Sequence, residues 1–301
     1  MVEAPPFRFG HVAILGRPNV GKSTLLNRLL EQKLVITSTK PQTTRHQVIG
    51  IKTRPDAQIV FVDTPGIHSR GDGPLNRYLN RAARSAASGV DAILWVVEAL
   101  RVGAEDWLAL ERASSEDCPL FLVVNKVDRV HPKSRLLPFL ETLAARHDFA
   151  GLFPVSALRG TQLGPLEDTL VARLPEGSKQ YPEDQISDRP QRFFAAELLR
   201  EQLTARYAQE LPYCLSVEIE AFEEDPSANL YRIAAVVWVE RPGQKAILIG
   251  RGGLAMKEAA SVARVEMERL FGCRVFLQVW VRVQDSWSGD EAALARLGYQ
   301  V

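Results

Sequence analysis

The sequence predicts an α/β protein of two domains, the first built on a mostly parallel sheet and the second a smaller α+β domain. In the first half, short continuous apolar runs such as 11–15 and 120–124 alternate with helical patterns, which is typical of strands buried on both faces of a parallel sheet. In the second half, the alternating segments 215–222 and 230–239 indicate antiparallel strands. Between the halves, residues 174–184 are rich in proline, glycine and charge, as linkers are. The predicted limits are a flexible N-terminus at 1–8, the first domain at 9–174, a linker at 175–190, the second domain at 191–285 and a tail at 286–301.

Composition limits the classes of function. The chain has 301 residues, of which 46% are hydrophobic and 24% are charged, as in an ordinary soluble globular protein. The formal net charge of +1 gives no whole-chain electrostatic argument for nucleic acid or membrane. Cys118, Cys214 and Cys273 form no C-x-x-C pair, so disulfides and zinc are disfavoured. Because no apolar run reaches 18 residues and the N-terminus lacks a signal sequence, we expect a cytoplasmic protein.

Residues 16–23 read Gly-Arg-Pro-Asn-Val-Gly-Lys-Ser and fit the phosphate-loop pattern G-x-x-x-x-G-K-[ST]. An apolar strand precedes the motif and leucines at helical spacing follow it, which is the context that the motif needs. Backbone N–H groups of such a loop point at an anion, and the helix N-terminus adds partial positive charge. We expect Lys22 to reach the β- and γ-phosphates of a nucleoside triphosphate and Ser23 to ligate Mg²⁺. The predicted nucleotide-binding residues of this segment are Gly16, Asn19, Val20, Gly21, Lys22, Ser23 and Thr24.

Two polar segments downstream predict the rest of the triphosphate and metal site. Residues 37–45 are rich in threonine and contain a proline, as a loop would, and Thr44 is expected to complete the metal shell. The segment Asp63-Thr64-Pro65-Gly66 directly follows a predicted strand, so Asp63 suits an outer ligand of Mg²⁺ and the Gly66 N–H can reach the γ-phosphate. The predicted metal ligands are Ser23, Thr44 and Asp63, and the predicted catalytic residues are Lys22, Thr44 and Gly66.

The segment Asn125-Lys126-Val127-Asp128 follows another apolar run and predicts which base is bound. A carboxylate such as Asp128 can accept two hydrogen bonds, from guanine N1–H and from the N2 amine. Adenine lacks that pair of donors, and sites of this kind can discriminate by roughly 10⁴ or more. We expect Asn125 to face guanine O6 and N7, the Lys126 stem to lie along the base, and the loop 156–158 to offer a backbone N–H to O6. The predicted base-binding residues are Asn125, Lys126, Asp128, Ser156, Ala157 and Leu158.

These motifs, in this order, resemble the translation-factor-related small GTPases over roughly residues 8–175. The matching segments are G-R-P-N-V-G-K-S, T-T-R, D-T-P-G, N-K-V-D and S-A-L. The resemblance implies a P-loop GTPase domain at 9–174, with GTP/GDP and Mg²⁺ as cofactors and hydrolysis of GTP to GDP and phosphate. A P-loop kinase or ATPase is the competing class, and Asn125 with Asp128 argues against it.

The second half follows the order helix, strand, strand, helix, G-x-x-G, helix, strand, which resembles a bacterial-type (type II) KH domain. Its G-x-x-G turn is Gly250-Arg251-Gly252-Gly253, where small residues let a nucleic-acid backbone approach, and 247–249 are expected to form an apolar floor for bases. Residues 241–282 contain eight lysines and arginines against three acidic residues, so positive charge is gathered around the turn. The predicted RNA-binding residues are Lys245, Ile249, Gly250, Arg251, Gly252, Gly253 and Lys257.

A GTPase half joined to a KH half resembles the Era family across nearly the whole chain, including the S-D-R-P segment at 187–190. The resemblance implies binding to the 3′ region of small-subunit ribosomal RNA and assistance in assembly of the 30S subunit. Two alternatives stay open: a signalling GTPase peripheral to the inner membrane surface, and an RNA-binding protein with a purely structural nucleotide site. No obligate protein partner is evident, and the tail can either pack beside the KH domain or contact RNA.

One departure from the pattern of many GTPases predicts a slow intrinsic rate. The residue after the D-x-x-G glycine is often a glutamine that orients the attacking water, and here it is Ile67. In related GTPases with this phosphate loop, the asparagine at the position of Asn19 ligates a potassium ion. Such an ion would supply positive charge to the transition state. The alternatives are that Asn19 only braces the loop and that RNA or a ribosomal subunit supplies the activation. No arginine is obviously placed to act in cis, and Arg45 is the one candidate left open.

Overall fold

The structure is a computed structural model, which describes residues 6–37, 43–66, 73–207, 211 and 214–299. The chain forms two compact units. As far as these residues are described, the first unit contains 1–33, 44–71 and 79–188, and the second contains 34–43, 72–78 and 189–301. Two short segments from the first half of the sequence therefore belong with the second half. The domain limits predicted from the sequence stay predictions.

Six strands of the first unit form one sheet in the order β2-β3-β1-β4-β5-β6. Neighbouring strands are parallel except for β2, which pairs antiparallel to β3 at one edge. This confirms the mostly parallel sheet, whereas β2 is a strand that was not predicted from the sequence. In this half of the chain the elements are β1 (Arg8–Leu15), α1 (Lys22–Leu29), β2 (Val48–Thr53), β3 (Ala57–Asp63), α2 (Pro74–Ser85), β4 (Ala92–Glu98), α3 (Ala104–Ala113), β5 (Leu120–Asn125), α4 (Leu136–Ala144), β6 (Gly151–Pro154) and α5 (Leu163–Arg173).

The core of the first unit explains where its functional motifs meet. Every residue of β3, β4 and β5 is buried, because helices cover both faces of a parallel sheet. The carboxyl ends of parallel strands lie at one edge, which is where ligands bind in open α/β sheets. The phosphate loop follows β1, Asp63 ends β3, Asn125 ends β5, and the loop at 156–158 follows β6. The topology therefore brings these motifs to the same edge.

The segment predicted as a linker packs against the first unit. The side chain of Gln58, which is fully buried, accepts hydrogen bonds from the backbone N–H groups of Gln180 and Tyr181, both at 2.9 Å, and donates to the Tyr181 carbonyl at 2.9 Å. Further along, the Ser187 hydroxyl donates to the Ile49 carbonyl at 2.6 Å. We call residues 180–187 the strap. Their composition is that of a linker, but hydrogen bonds to groups on β2 and β3 order them against the sheet.

The second unit contains a three-stranded sheet in the order β7-β8-β9, with β7 antiparallel and β9 parallel to β8. Helices α6 and α8 pack through small and aliphatic side chains such as Leu199, Ala259 and Ala263, all fully buried against the sheet. This arrangement confirms the α+β KH order predicted from the sequence. The elements are α6 (Gln191–Arg206), β7 (Leu215–Asp225), β8 (Leu230–Val239), α7 (Pro242–Ile249), α8 (Leu254–Phe271), β9 (Arg274–Val283) and α9 (Glu291–Arg296).

The C-terminal tail packs within the second unit. Trp287 is fully buried, and its indole N–H donates to the Cys214 carbonyl at 3.1 Å. Its ring stacks on Tyr299 with centroids 6.2 Å apart, and Leu294 of α9 is 3% exposed. The sequence left open whether the tail packs or contacts RNA, and its apolar side chains serve packing.

Candidate nucleotide and RNA sites

The side chain of Lys22 folds back over the phosphate loop and binds two of its carbonyl groups. The Lys22 ammonium donates to the carbonyls of Gly16 at 2.8 Å and Arg17 at 3.0 Å, and its side chain is buried. Burial lowers the pKa of Lys22 to about 8, although the Asp63 carboxylate acts in the opposite direction. Because an ammonium has three donors, a third hydrogen bond remains for an anion in the loop.

The three predicted metal ligands lie together. The Ser23 hydroxyl is 2.9 Å from the Thr44 hydroxyl and donates to Asp63 Oδ2 at 2.9 Å. The other carboxylate oxygen of Asp63 is buried and has no hydrogen-bond partner within the described part of the chain. Burial raises the pKa of Asp63 to about 6, and the charge of Lys22 opposes the rise. One carboxylate and two hydroxyls, with an oxygen left unsatisfied, fit Mg²⁺, which binds oxygen and keeps several waters.

Gly66 lies against the phosphate loop. A Cβ at this position would come within 2.7–2.9 Å of Pro18, so only glycine allows this approach. The hydroxyl of Thr64 donates to the Ile14 carbonyl at 3.0 Å and fastens the segment to β1. The next residue, Ile67, lies outside the described residues, as does the stretch 38–42 of the threonine-rich loop, and slow intrinsic hydrolysis stays a prediction.

The side chain of Asn125 joins three segments of the base site. Its amide nitrogen donates to the Val20 carbonyl at 2.9 Å, and its oxygen accepts from the N–H groups of Lys126 at 2.7 Å and Ala157 at 3.0 Å. Both lone pairs of the oxygen are used, and one amide hydrogen remains to reach an acceptor on a base. Asn125 therefore ties the phosphate loop to both base-binding loops.

The backbone N–H groups of residues 156–158 differ in whether they already have an acceptor within the protein. The N–H of Ser156 donates to the Thr161 carbonyl at 3.3 Å and that of Ala157 to Asn125 Oδ1 at 3.0 Å, so among these three residues the Leu158 N–H is the one without an acceptor in the described part of the chain. The Ser156 hydroxyl donates to Asp128 Oδ1 at 2.6 Å and so orients the carboxylate.

Arg28 of α1 is a residue of this site that sequence reasoning missed. Its guanidinium donates to the carbonyl of Leu158 at 2.7 Å and to that of Ala157 at 3.3 Å. It therefore holds the base-binding loop from the helix that follows the phosphate loop. No local pattern signals this role, because the partners are 129 and 130 residues away in the sequence.

The second unit carries a cleft of about 570 Å³ between α7, the G-x-x-G turn, α8 and β9. Among the predicted RNA-binding residues, Lys245, Ile249, Gly253 and Lys257 line it, and Gly250, Arg251 and Gly252 form the turn beside it. The remaining lining residues are Met256, Ala260, Ser261, Arg264, Leu277, Val279, Trp280 and Val281. Among the described lining residues, three are cationic and none carries a carboxylate, although Arg264 pairs with Glu268 at 2.6 Å; the floor of the cleft is apolar.

Two details of the cleft differ from the sequence prediction. Leu248 is fully buried in the core of the second unit, so it is not part of a floor for bases. Its neighbour Ile247 is 56% exposed, because successive helical residues point about 100° apart. Trp280 was not predicted as an RNA-binding residue, but its side chain is 45% exposed and lines the cleft. The alternating pattern of a strand does not by itself show whether a tryptophan is buried in the core or exposed to solvent.

Part of the threonine-rich loop is held by α6 within the second unit. Glu201 Oε1 accepts from the N–H of Thr37 at 2.8 Å and lies 3.4 Å from its hydroxyl. The buried Arg200, paired with Glu197 at 2.7 Å, donates to the Thr43 carbonyl. Both contacts come from charged groups, which make the stronger hydrogen bonds to backbone.

Comparison with known families matches both halves. A family model described as a 50S ribosome-binding GTPase covers residues 11–126, and a model described as a KH domain covers residues 210–288. GTPase Era of Xanthomonas campestris pv. campestris (strain B100) is 52% identical over 299 residues, which are 99% of this chain and 100% of that protein. GTPase Era of Stenotrophomonas maltophilia (strain R551-3) is also 52% identical, over 300 residues and the whole of both chains. The chain belongs to the Era family of GTPases.

Solved Era structures share the fold of this chain. A variant of Aquifex aeolicus Era bound to GDP and AlF₄⁻ has a TM-score of 0.94 at 34% identity, covering 98% of this chain and 100% of that one. Era in complex with MgGDPNP and nucleotides 1506–1542 of 16S ribosomal RNA has a TM-score of 0.93, with the same identity and coverage. The protein is thus a GTP-hydrolysing enzyme with a KH domain, and the kinase and ATPase alternatives are excluded. In the described part of the chain, no helix is both long and apolar enough to cross a membrane.

Proposed function

We propose that this Era-family GTPase is an RNA-binding switch that binds small-subunit ribosomal RNA near its 3′ end and assists assembly of the 30S subunit. The observation that carries the proposal is the pairing, in one chain, of a triphosphate site with a cation-lined cleft at a G-x-x-G turn. The relative described as a complex with nucleotides 1506–1542 of 16S ribosomal RNA supports the choice of RNA.

Guanine is the base that the first unit fits. Asp128 accepts from guanine N1–H and N2, the Leu158 N–H donates to O6, and the free amide hydrogen of Asn125 reaches N7. The Ser156 hydroxyl at 2.6 Å fixes the rotamer of Asp128 before the base arrives, which lowers the cost of ordering on binding.

The phosphates and metal are held by the oxygens and donors of the phosphate loop and of the two segments beside it. Mg²⁺, when bound by Ser23, Thr44 and Asp63, would offset the negative charge that develops on the phosphoryl group. Lys22 donates to the β- and γ-phosphates in place of its bonds to the loop carbonyls, and the Gly66 N–H donates to the γ-phosphate. These contacts stabilise the transition state of hydrolysis electrostatically.

The rate without an activator is slow in this proposal, because Ile67 cannot orient water. Asn19 is the residue that would hold a potassium ion, and such an ion would supply part of the missing positive charge. The structure places the Asn19 backbone in the left-handed region, with φ at 64°, and Lys126 Nζ donates to its carbonyl at 2.5 Å.

Single-stranded RNA is the ligand proposed for the second unit. Its phosphates pass the N-terminus of α8 and the lysines of the cleft, while its bases stack or pack on the apolar floor and on Trp280. Gly252, with φ at 60° and no atom within 4 Å of an added Cβ, leaves an open approach for the RNA backbone.

The decisive experiment is filter binding of a 16S 3′-terminal RNA fragment in the presence of GTP analogue, GDP or no nucleotide, together with phosphate release from GTP. We expect the RNA Kd to depend on the nucleotide and phosphate to be released. RNA binding without phosphate release would favour the structural nucleotide site. Co-sedimentation with liposomes rather than with 30S subunits would favour the membrane-peripheral alternative.

A further inference from the structure

The Oε2 atom of Glu98, the last residue of β4, is shared by two cations from different loops, while its Oε1 lies 3.7 Å from the exposed Arg101. This Oε2 accepts from Lys126 Nζ at 2.8 Å and from Arg17 Nη2 at 3.3 Å. The side chain is 11% exposed, so the pairs are largely screened from water. Burial alone would raise the pKa of Glu98, but the hydrogen bond from Lys126 and the charges of Lys126 and Arg17 hold it below its usual range. Glu98 is therefore ionised at neutral pH.

The same two cations hold consecutive carbonyls of the phosphate loop. Arg17 Nη1 donates to the Pro18 carbonyl at 3.3 Å, and Lys126 Nζ donates to the Asn19 carbonyl at 2.5 Å. Glu98 is thus the common anchor of the loop that cradles the phosphates and of the lysine in the base-recognition motif. No role was predicted for Glu98 from the sequence, where it is the last residue of a buried strand.

A second buried carboxylate supports Arg17 from the other side. Asp106 of α3 is fully buried, and its Oδ2 accepts from Arg17 Nε at 2.9 Å and from the Gly103 N–H at 2.9 Å. The carboxylates of Glu98 and Asp106 therefore both pair with Arg17, and Glu98 also pairs with Lys126 and, at 3.7 Å, with Arg101. With its guanidinium fixed on two sides, Arg17 has little rotamer freedom left, so its contact with the Pro18 carbonyl is geometrically defined.

We propose that Glu98 is a positioning residue for nucleotide binding: it holds the Lys126 stem in place for the guanine ring and holds the 18–19 backbone in place for the phosphates. The inference rests on the proposed guanine site, because it needs Lys126 to contact the base. In the described part of the chain, Glu98 makes no hydrogen bond or ion pair with the groups proposed to surround the γ-phosphate, which are Lys22, Ser23, Thr44, Asp63 and Gly66. Its loss should therefore weaken GTP and GDP equally. The rate of the bound complex, measured in NaCl so that the potassium ion proposed at Asn19 does not contribute, should stay unchanged.

The test measures Kd for fluorescent GDP and for a fluorescent non-hydrolysable GTP analogue, together with single-turnover hydrolysis at saturating GTP. Glu98→Gln keeps the size and an acceptor but loses the charge, so both Kd values should rise by about tenfold. The single-turnover rate should stay within about twofold of wild type. A thermal melt of each variant checks folding, and Glu111→Gln, an exposed change on α3, is the matched control with unchanged Kd values.

A double-mutant cycle with Lys126→Ala separates positioning from a general stabilising role. If Glu98 acts through Lys126, Glu98→Gln should cost at most about threefold in the Lys126→Ala background. Multiplicative effects of the two changes, or a fall in rate with unchanged Kd values, would overturn the inference and leave the guanine site standing. Unchanged nucleotide affinity in Lys126→Ala alone would instead overturn the guanine site itself.

Arg17→Met provides the second route if Glu98→Gln does not fold. The Arg17 side chain is 22% exposed, so its replacement by a side chain of similar length is tolerated more easily. We expect GTP and GDP affinity to fall by the same factor, because the Pro18 carbonyl loses its donor. A loss of affinity for GTP alone would contradict the role proposed for Glu98, because Glu98 is proposed to position groups that bind GTP and GDP alike.

Discussion

At the scale of single residues, the proposed preference for guanine depends on the carboxylate of Asp128. We predict that Asp128→Asn weakens GTP binding by a hundredfold or so, because an amide cannot accept from both N1–H and N2 and leaves polar groups unpaired. Xanthosine triphosphate, which carries an oxygen at C2, should bind the variant more tightly than it binds wild type. Titration calorimetry with the two nucleotides measures both changes.

The control for this prediction is Asp117→Asn, an exposed change of the same chemistry in the same unit. It should leave both affinities at the wild-type value. RNA affinity should be retained in both variants, since the KH residues are untouched. Wild-type GTP affinity in Asp128→Asn would show that guanine is bound elsewhere.

Potassium dependence is a second prediction at the residue scale. We expect hydrolysis to be faster in KCl than in NaCl at equal ionic strength for the wild type, because a bound cation offsets negative charge in the transition state. In Asn19→Ala the difference between the salts should disappear. Steady-state phosphate release in the two salts measures this, and equal wild-type rates would remove potassium from the mechanism.

At the scale of elements, the turn between α7 and α8 exposes glycine backbone at the proposed RNA site. We predict that Gly252→Asp lowers RNA affinity by tenfold or more, because a carboxylate would stand where phosphates pass. The backbone strain of a residue at φ 60° costs about 1 kcal/mol of stability. Gly272→Asp is a matched control: it has φ at 70°, an equally open Cβ position and the same added charge, at the far end of the 18-residue α8. A melt should show similar destabilisation in both, with RNA binding lost only in Gly252→Asp.

The edge strand β9 offers a matched pair of aromatic residues on one face. Trp280 is 45% exposed and lines the cleft, whereas Phe276, four residues earlier, is 47% exposed and is not among the lining residues. We predict that Trp280→Ala weakens RNA binding by about tenfold, since base–aromatic stacking contributes about 1–3 kcal/mol per base. Phe276→Ala should change RNA affinity by less than twofold in the same filter-binding assay. Equal losses in the two variants would place the RNA along the open face of the sheet.

At the scale of the whole molecule, the net charge is close to zero, but positive charge is concentrated at one cleft. The net charge is +1, but Lys245, Lys257 and Arg264 line one cleft. About three phosphate contacts predict a slope of about −2 for log K against log salt, or about a 20-fold loss of RNA affinity between 50 and 200 mM. Lys257→Ala should reduce the slope by about 0.7. Lys179→Ala, whose lysine pairs with Glu183 in the strap, should leave it unchanged. A slope near zero would rule out a phosphate-binding cleft.

The sequence by itself determined the fold class and the family, and it predicted which polar residues meet at one edge of the sheet. These follow from local signals: Lys22 and Ser23 sit at fixed positions after a buried strand, and Asp63 and Asn125 end strands whose apolar runs are continuous. Because parallel strands present their carboxyl ends at one edge, spacing and strand order were enough to bring these residues together. The order of elements in the KH domain could also be predicted from local signals. Its G-x-x-G turn, Gly250 to Gly253, lies between two helices whose apolar residues recur at helical spacing.

Only the tertiary structure decided the contacts that depend on side chains distant in sequence. Arg17 and Glu98 are 81 residues apart, and Arg28 reaches Leu158 across 130 residues, so no local pattern could pair them. The same holds for the strap, whose backbone is fixed by the buried Gln58, and for the tail, whose Trp287 finds its partner in Cys214. A polar side chain in a strand or loop has many possible partners, and which one it meets is set by how the elements pack. Periodicity places a residue on a face, but only packing determines what that face meets.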